Sequence, residues 1–155
     1  IGMELLEKEI KSAQRRKSFL SICYLDVDGL KEVNDQYGHQ EGDRLLVKVS
    51  DTIKNNIRGS DIFCRMGGDE FLILVTQLNS EHIKQLADRL IESISSEKIH
   101  VDDLHFDITV SIGGISSEDL PNASGKELIK ASDSALLMAK RLGRNRAVVY
   151  NETIQ

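Results

Sequence analysis

The amino-acid sequence predicts an α+β sandwich in which helices flank a central antiparallel or mixed five-stranded sheet. Two features carry that reading. Long segments with apolar residues at helical spacing alternate along the chain with short apolar runs joined by turn residues, so helices and hairpins are built in turn. Within this series "FLSICYLDV" at 19–27 is nearly continuous in apolar character, as expected of a central strand covered on both faces. With 155 residues, 40% of them hydrophobic, the chain can bury a core of its own, and 1–155 is read as one domain.

The elements follow in order. Residues 3–14 set Met3, Leu6, Ile10 and Ala13 on one face of a helix, and the basic triplet "RRK" at 15–17 suits its C-terminus. The central strand comes next and ends in acids, "DVD". Residues 42–57 repeat Leu45 or Leu46, Val49, Ile53 and Ile57, which predicts an amphipathic helix. "DIFCRM" and "FLILV" then flank Gly67, Gly68, Asp69 and Glu70, the local signature of a hairpin. Paired glycines suit a primed turn there, because φ > 0 costs glycine little. Ile83, Leu86, Ala87, Leu90, Ile91 and Ile94 mark a helix over 81–95 that packs on the sheet. The stretch 99–116 alternates as strand does, with a hairpin near Asp102 and Asp103. Ser124 and Glu127 stand at capping-box spacing before a helix that closes at Gly143, and "AVVY" is a last strand.

Composition narrows the function classes. A formal charge of −5 argues against the broad basic face that nucleic-acid binding needs, so an anionic ligand would require local cations or metals. No apolar run approaches the ~20 residues that span a bilayer, and the start lacks a secretory pattern, so no membrane contact is expected of this segment. Cys23 and Cys64 lie in strand-like runs without metal or redox spacing and read as small buried hydrophobes in a reducing compartment.

The acids carry the functional signal. Asp26 and Asp28 share one face of the central strand by its period of two, while Asp69 and Glu70 sit at the hairpin tip. Either pair alone is most simply a strand end in solvent. If the hairpin pairs beside the strand, three or four carboxylates converge, and such a cluster stays ionised only with a cation, Mg²⁺ or Mn²⁺ by its hard oxygen ligands.

Four motifs stand in register over nearly the whole chain: "DVDGLKEVNDQYGHQEGD" at 26–43, "RMGGDEF" at 65–71, "SIGG" at 111–114 and "AKRLGRN" at 139–145. In these the sequence resembles the GGDEF family, the diguanylate cyclases. The resemblance implies a fold similar to nucleotidyl cyclases and the polymerase palm, a ferredoxin-like sandwich. It implies condensation of two GTP molecules into cyclic di-GMP and two pyrophosphates, with a homodimer that brings two domains face to face. A cytoplasmic domain follows, whether or not the parent protein is membrane-attached. The family's usual lead-in is absent from the start of the sequence, Ile115 follows "SIGG" where alanine is usual, and Leu137 stands where an aromatic is frequent.

Motif by motif, the resemblance assigns metal binding to Asp26, the Val27 carbonyl, Asp69 and Glu70. Asp69 is also the family's candidate base. An aspartate with an ordinary pKa near ~3.9 is a weak base, so the metal must share in deprotonating the attacking hydroxyl. Asp28 reads as a structural or supporting acid. Lys31 would offset transition-state charge, and Lys140 and Arg144 would grip the β and γ phosphates. Gly67 and Gly68 would let phosphate oxygens lie against bare backbone. Asn34 and Asp43 match the guanine readers, since a carboxylate accepts from two adjacent guanine donors that adenine lacks, and His39 matches a position near the nucleotide. Read as structure alone, Asn34 is a turn residue and Asp43 a first-turn helix acid. Arg58 and Asp61 in "RGSD", with Arg89, resemble an inhibitory site for the cyclic di-GMP product; their plain alternative is a surface ion pair worth under about 1 kcal/mol. The competing functional reading is a catalytically silent regulatory module that binds GTP or cyclic di-GMP.

Overall fold

The computed structural model describes residues 2–76, 80–96, 98–101 and 104–150. The chain runs α1 (Gly2–Arg15), β1 (Leu20–Asp28), α2 (Leu30–Tyr37), α3 (His39–Lys54), β2 (Ile62–Arg65), β3 (Glu70–Thr76), α4 (Ser80–Ser96), β4 (Lys98–Val101), β5 (Leu104–Asp107), β6 (Thr109–Ser116), α5 (Gly125–Arg141) and β7 (Ala147–Val149). Five strands form one sheet in the order β2-β3-β1-β6-β7, antiparallel except for the β6–β7 pair, and this is the mixed α+β sandwich that the sequence predicts.

β1 is central because it is apolar on both sides. Leu20 and Ile22 enter a core with Leu6 and Ile10 of α1 and Leu128 and Ala131 of α5. Cys23, Leu25 and Val27 face the opposite way, into a core with α3 and α4 side chains such as Leu45, Val49, Ile83 and Leu90. Burial in a full apolar shell pushes the Cys23 thiol up to about 12, with Asp61 adding to the effect, so it is chemically quiet. Cys64 is only partly buried, at the edge of the α1/α5 core, and is less enclosed than the sequence suggests.

Two local expectations are corrected. The helix expected at 42–57 begins three residues earlier, at His39, and ends at Lys54, and a further helix, α2, precedes it. α2 buries only Leu30 and Val33, too few apolar positions to show a period, and Gly38 at φ 93° divides it from α3. Asn34 is therefore helical rather than in a turn, and Asp43 lies beyond the first turn of α3.

The second correction concerns the glycine pair. Neither Gly67 nor Gly68 takes a positive φ. The last strand pair is Arg65 with Phe71, and the Met66 N–H donates to the Glu70 carbonyl at 2.9 Å, so the connection is wider than a two-residue primed turn. The alternating stretch 99–116 divides as expected: β4 and β5 pair antiparallel on either side of 102–103, as a separate two-stranded sheet, before β6 begins. The expected turn at Asp102 and Asp103 lies outside the described residues.

α5 packs on β6 at Gly113, where an added Cβ would run into the Ser132 carbonyl and the backbone of Leu136. Backbone on both sides leaves no soft atom to yield. Gly113→Val is therefore expected to cost about 1–3 kcal/mol of stability, read from urea unfolding midpoints.

Candidate active site

The site is assembled on one face of β1. Alternation sends Tyr24, Asp26 and Asp28 to the same side as Leu20 and Ile22, toward α5. The register sets Asp26 opposite Glu70 on β3 and opposite Ser111 on β6. The Val27 N–H donates to the Asp69 carbonyl at 3.0 Å and so draws the hairpin tip against the end of β1. As a result one carboxylate oxygen from each of Asp26, Asp69 and Glu70 lies within 4.8 Å of the others.

Asp26 is 8% exposed, and its two oxygens differ. Oδ2 accepts from Lys140 Nζ, while Oδ1 is buried with no hydrogen-bond partner. Burial pushes the carboxyl up from 3.8 to about 6; the Lys140 hydrogen bond opposes this and the neighbouring Asp69 adds to it. A buried, unpartnered carboxylate oxygen inside a group of three acids suits a hard cation, so the residues present fit a divalent metal. Asp28 is occupied differently. It accepts from Thr109 Oγ1 at 2.7 Å, Ser111 Oγ at 2.9 Å and the Asn145 N–H at 3.2 Å, and Arg144 Nε stands 3.9 Å away. These bonds make it a brace between β1, β6 and the loop before β7.

Lys140 and Arg144 reach the site through the end of α5. The Gly143 N–H bonds the Lys140 carbonyl and the Arg144 N–H bonds the Ala139 carbonyl, with Gly143 at φ 123°, a paired C-terminal closure that glycine permits. Arg144 and Asn145 follow in the left-handed region and turn the chain back over Asp28.

Two adjoining clefts of about 400 Å³ each meet at Leu30, Lys31 and Asp69. The first is lined by Asp26, Val27, Asp28, Lys31, Asp69, Lys140 and Arg144 among others. Asn34, His39, Asp43, Arg65 and Gly68 line the second, and Gly67 lines neither. A Cβ at Gly67 or Gly68 would meet nothing within 4 Å, so the space beside both is open. Asn34 lies against Gly42, where any Cβ would collide with its Oδ1, and that oxygen too is buried and unpartnered.

Two site features escaped sequence reasoning. Arg65 donates from Nε to the Gly67 carbonyl at 3.1 Å and from its terminal nitrogen to the Gly68 carbonyl at 2.7 Å, which clamps the hairpin tip. Tyr24 donates its hydroxyl to Glu70 Oε2 at 2.6 Å. Burial first, and then that bond, raise the Tyr24 hydroxyl well above its usual value, so it remains a donor.

The predicted inhibitory residues form a separate cleft of about 230 Å³, where Arg58, Asp61 and Arg89 are joined by Asn56, His82, Gln85 and Leu86. Asp61 accepts from the Arg58 N–H at 2.8 Å, and Arg58 also donates to the Thr76 carbonyl at 2.9 Å. Arg89 donates to the Asn56 carbonyl at 2.7 Å. His82 and Gln85, one turn apart on α4, carry no local signal that sequence reading could have used.

Comparison with known proteins agrees with this geometry. The family described as "Diguanylate cyclase, GGDEF domain" matches residues 3–146, and the chain belongs to that family. The chain is 35% identical over 153 residues to diguanylate cyclase DosC of Escherichia coli K12, covering 97% of this chain and 32% of DosC. It is 34% identical over 145 residues to diguanylate cyclase A of Treponema denticola, covering 94% of this chain and 39% of that protein. It thus spans between 32% and 39% of the length of these two curated relatives. The GGDEF domain of DgcB from Caulobacter crescentus, solved with c-di-GMP, superposes with a TM-score of 0.89 at 26% identity, over 94% of this chain and 86% of that one. Among the described residues no helix is long and apolar enough to cross a membrane.

Asp26 yields a pH prediction. A carboxyl whose folded pKa is raised adds stability that is complete below its unfolded value and disappears as pH rises through the folded one. Between pH 4 and 7, in chelator, wild type should therefore lose stability relative to Asp26→Asn. Urea unfolding at both pH values measures the difference; a difference that does not change with pH would contradict the raised carboxyl.

Proposed function

We propose that residues 1–155 form one catalytic domain that makes cyclic di-GMP from two GTP molecules, one held by each of two facing domains. The observation that carries this reading is the unpartnered Asp26 oxygen within the three-acid cluster, whose Asp69 lines both of two adjoining clefts. Such a pair of clefts suits a triphosphate on one side and a base on the other.

In each half-reaction the 3′-hydroxyl of one GTP attacks the α-phosphorus of the other. A new P–O bond forms, the bond to the bridging oxygen breaks, and pyrophosphate leaves. Asp26, the Val27 carbonyl, Asp69 and Glu70 would hold a divalent ion, Mg²⁺ or Mn²⁺, which would supply neutralisation of phosphate charge and acidification of the attacking hydroxyl. Asp69 accepts the hydroxyl proton. Lys31, which lines both clefts, faces the charge that develops on the transferring phosphoryl group. Lys140 and Arg144 hold the β and γ phosphates; without ligand each stands by an acid, Asp26 and Asp28, which keeps the cations in place. The uncovered backbone at Gly67 and Gly68 lets phosphate oxygens approach. Asn34 and Asp43 read the guanine edge, with His39 beside the nucleotide. A single domain supplies only one of the two GTP molecules, so a homodimer is required, and a GTP-consuming reaction places the domain in the cytoplasm.

Arg58, Asp61 and Arg89 are proposed to bind the cyclic di-GMP product and restrain the domains. Both arginines are already ordered by backbone carbonyls, which limits what ligand binding must immobilise. The silent-module alternative is disfavoured because the acidic cluster is complete.

An artificially dimerised sample incubated with GTP and Mg²⁺ should yield cyclic di-GMP by mass spectrometry, and Asp69→Asn should lower turnover on the order of 100-fold or more. No product from a demonstrably dimeric sample would sink the enzyme reading. Calorimetry should show Arg58→Ala binding cyclic di-GMP roughly tenfold or more weakly, the loss of a charged hydrogen bond. Unchanged affinity would return Arg58 to an ordinary surface pair.

A further inference from the structure

Three polar side chains point from β1 toward α5, and only Tyr24 has no role in the reaction as drawn. Its ring packs on the apolar core of α1, α5 and the sheet, which sets where the hydroxyl stands. Its direct partner across the strands is Leu72, so the phenol reaches diagonally to Glu70, the residue opposite Asp26. The 2.6 Å contact has the length of a charge-assisted bond to a carboxylate.

We infer that Tyr24 is a positioning residue for the metal site: its hydroxyl holds one oxygen of Glu70 and so presents the other to Asp26 and Asp69. This rests on the proposed reading of Glu70 as a metal ligand. The physical case is repulsion. Three carboxylates whose oxygens fall within 4.8 Å repel one another before any metal ion arrives. Glu70 is half-buried at the mouth of the hairpin and has three side-chain torsions by which to swing into water. A neutral hydroxyl on a rigid, packed ring opposes that swing without adding a positive charge that would compete with the cation. A lysine there would neutralise the acid, and a phenylalanine would leave it free. Asp26 is held already, buried on the central strand with Lys140 on its Oδ2.

Tyr24→Phe removes the hydroxyl and keeps the ring. The test titrates metal-free wild type, Y24F, E70Q and the double variant with Mn²⁺ alone, following loss of the free-ion EPR signal. Thermal unfolding of each protein is recorded in chelator. Y24F should weaken Mn²⁺ binding roughly tenfold, as for other groups that orient a metal ligand. The double variant should bind no more weakly than E70Q, because Tyr24 acts only through Glu70. In the dimerised enzyme, Y24F should raise the Mg²⁺ concentration for half-maximal turnover more than it lowers kcat at saturating Mg²⁺. A lower unfolding midpoint with unchanged Mn²⁺ affinity, or losses that add in the double variant, would reduce Tyr24 to a packing residue and leave Glu70 as a ligand. Wild-type affinity in E70Q would remove Glu70 from the metal site, and the role of Tyr24 with it.

Discussion

The arrangement depends on one constraint, the antiparallel register that sets Asp26 of β1 opposite Glu70 of β3. Side chains alternate across a sheet with a period of two, so a slip of one residue would send Asp26 into the α3/α4 core and Val27 toward α5. That slip is resisted by the cores themselves. Cys23, Leu25 and Val27 are buried on one side and Leu20 and Ile22 on the other, and neither set can be exchanged without moving an acid into hydrocarbon. The apolar strand therefore aims the acids, and the hydrogen bond from the Val27 N–H to the Asp69 carbonyl brings the hairpin tip to meet them.

The second support is α5, tied at both ends. Its start carries the full capping box between Ser124 and Glu127, and the Gly125 N–H also donates to Glu7 Oε1 of α1 at 2.8 Å. Its middle lies against Gly113 of β6, with no side chain between the backbones. Its end delivers Lys140 to Asp26, and the glycine closure carries Arg144 and Asn145 back to Asp28. Cations destined for phosphate are thus fixed by the same helix that closes the core, and α1 touches that helix at the end remote from them.

Charge is arranged economically in a chain of net −5. Lys140 and Arg144 stand beside Asp26 and Asp28, and the two arginines of the separate cleft, Arg58 and Arg89, are held by backbone carbonyls at Thr76 and Asn56. Asp26 bears the cost of this order, since burial disfavours its ionised form. A cation at the buried, unpartnered Oδ1 would reverse that preference.

Much was legible in the sequence because it is written in local periods. The central strand, the capped α5, the hairpin around Gly67 and Gly68 and the acids at strand ends all follow from spacing and end signals, and the four motifs in register named the family. α2 was not legible, since eight residues with two buried positions show no period, and the glycine pair misled because it serves open space rather than positive φ. Only the tertiary structure could decide which acids meet, that Arg65 clamps the hairpin tip, and that Tyr24 reaches Glu70 across a strand from 46 positions away. The Arg65 clamp is a short-range contact inside the "RMGGDEF" motif, whereas the Tyr24–Glu70 bond and the meeting of Asp26 with Asp69 and Glu70 join residues far apart in the chain. These contacts come from strand register and packing, which sequence spacing constrains only through the fold as a whole.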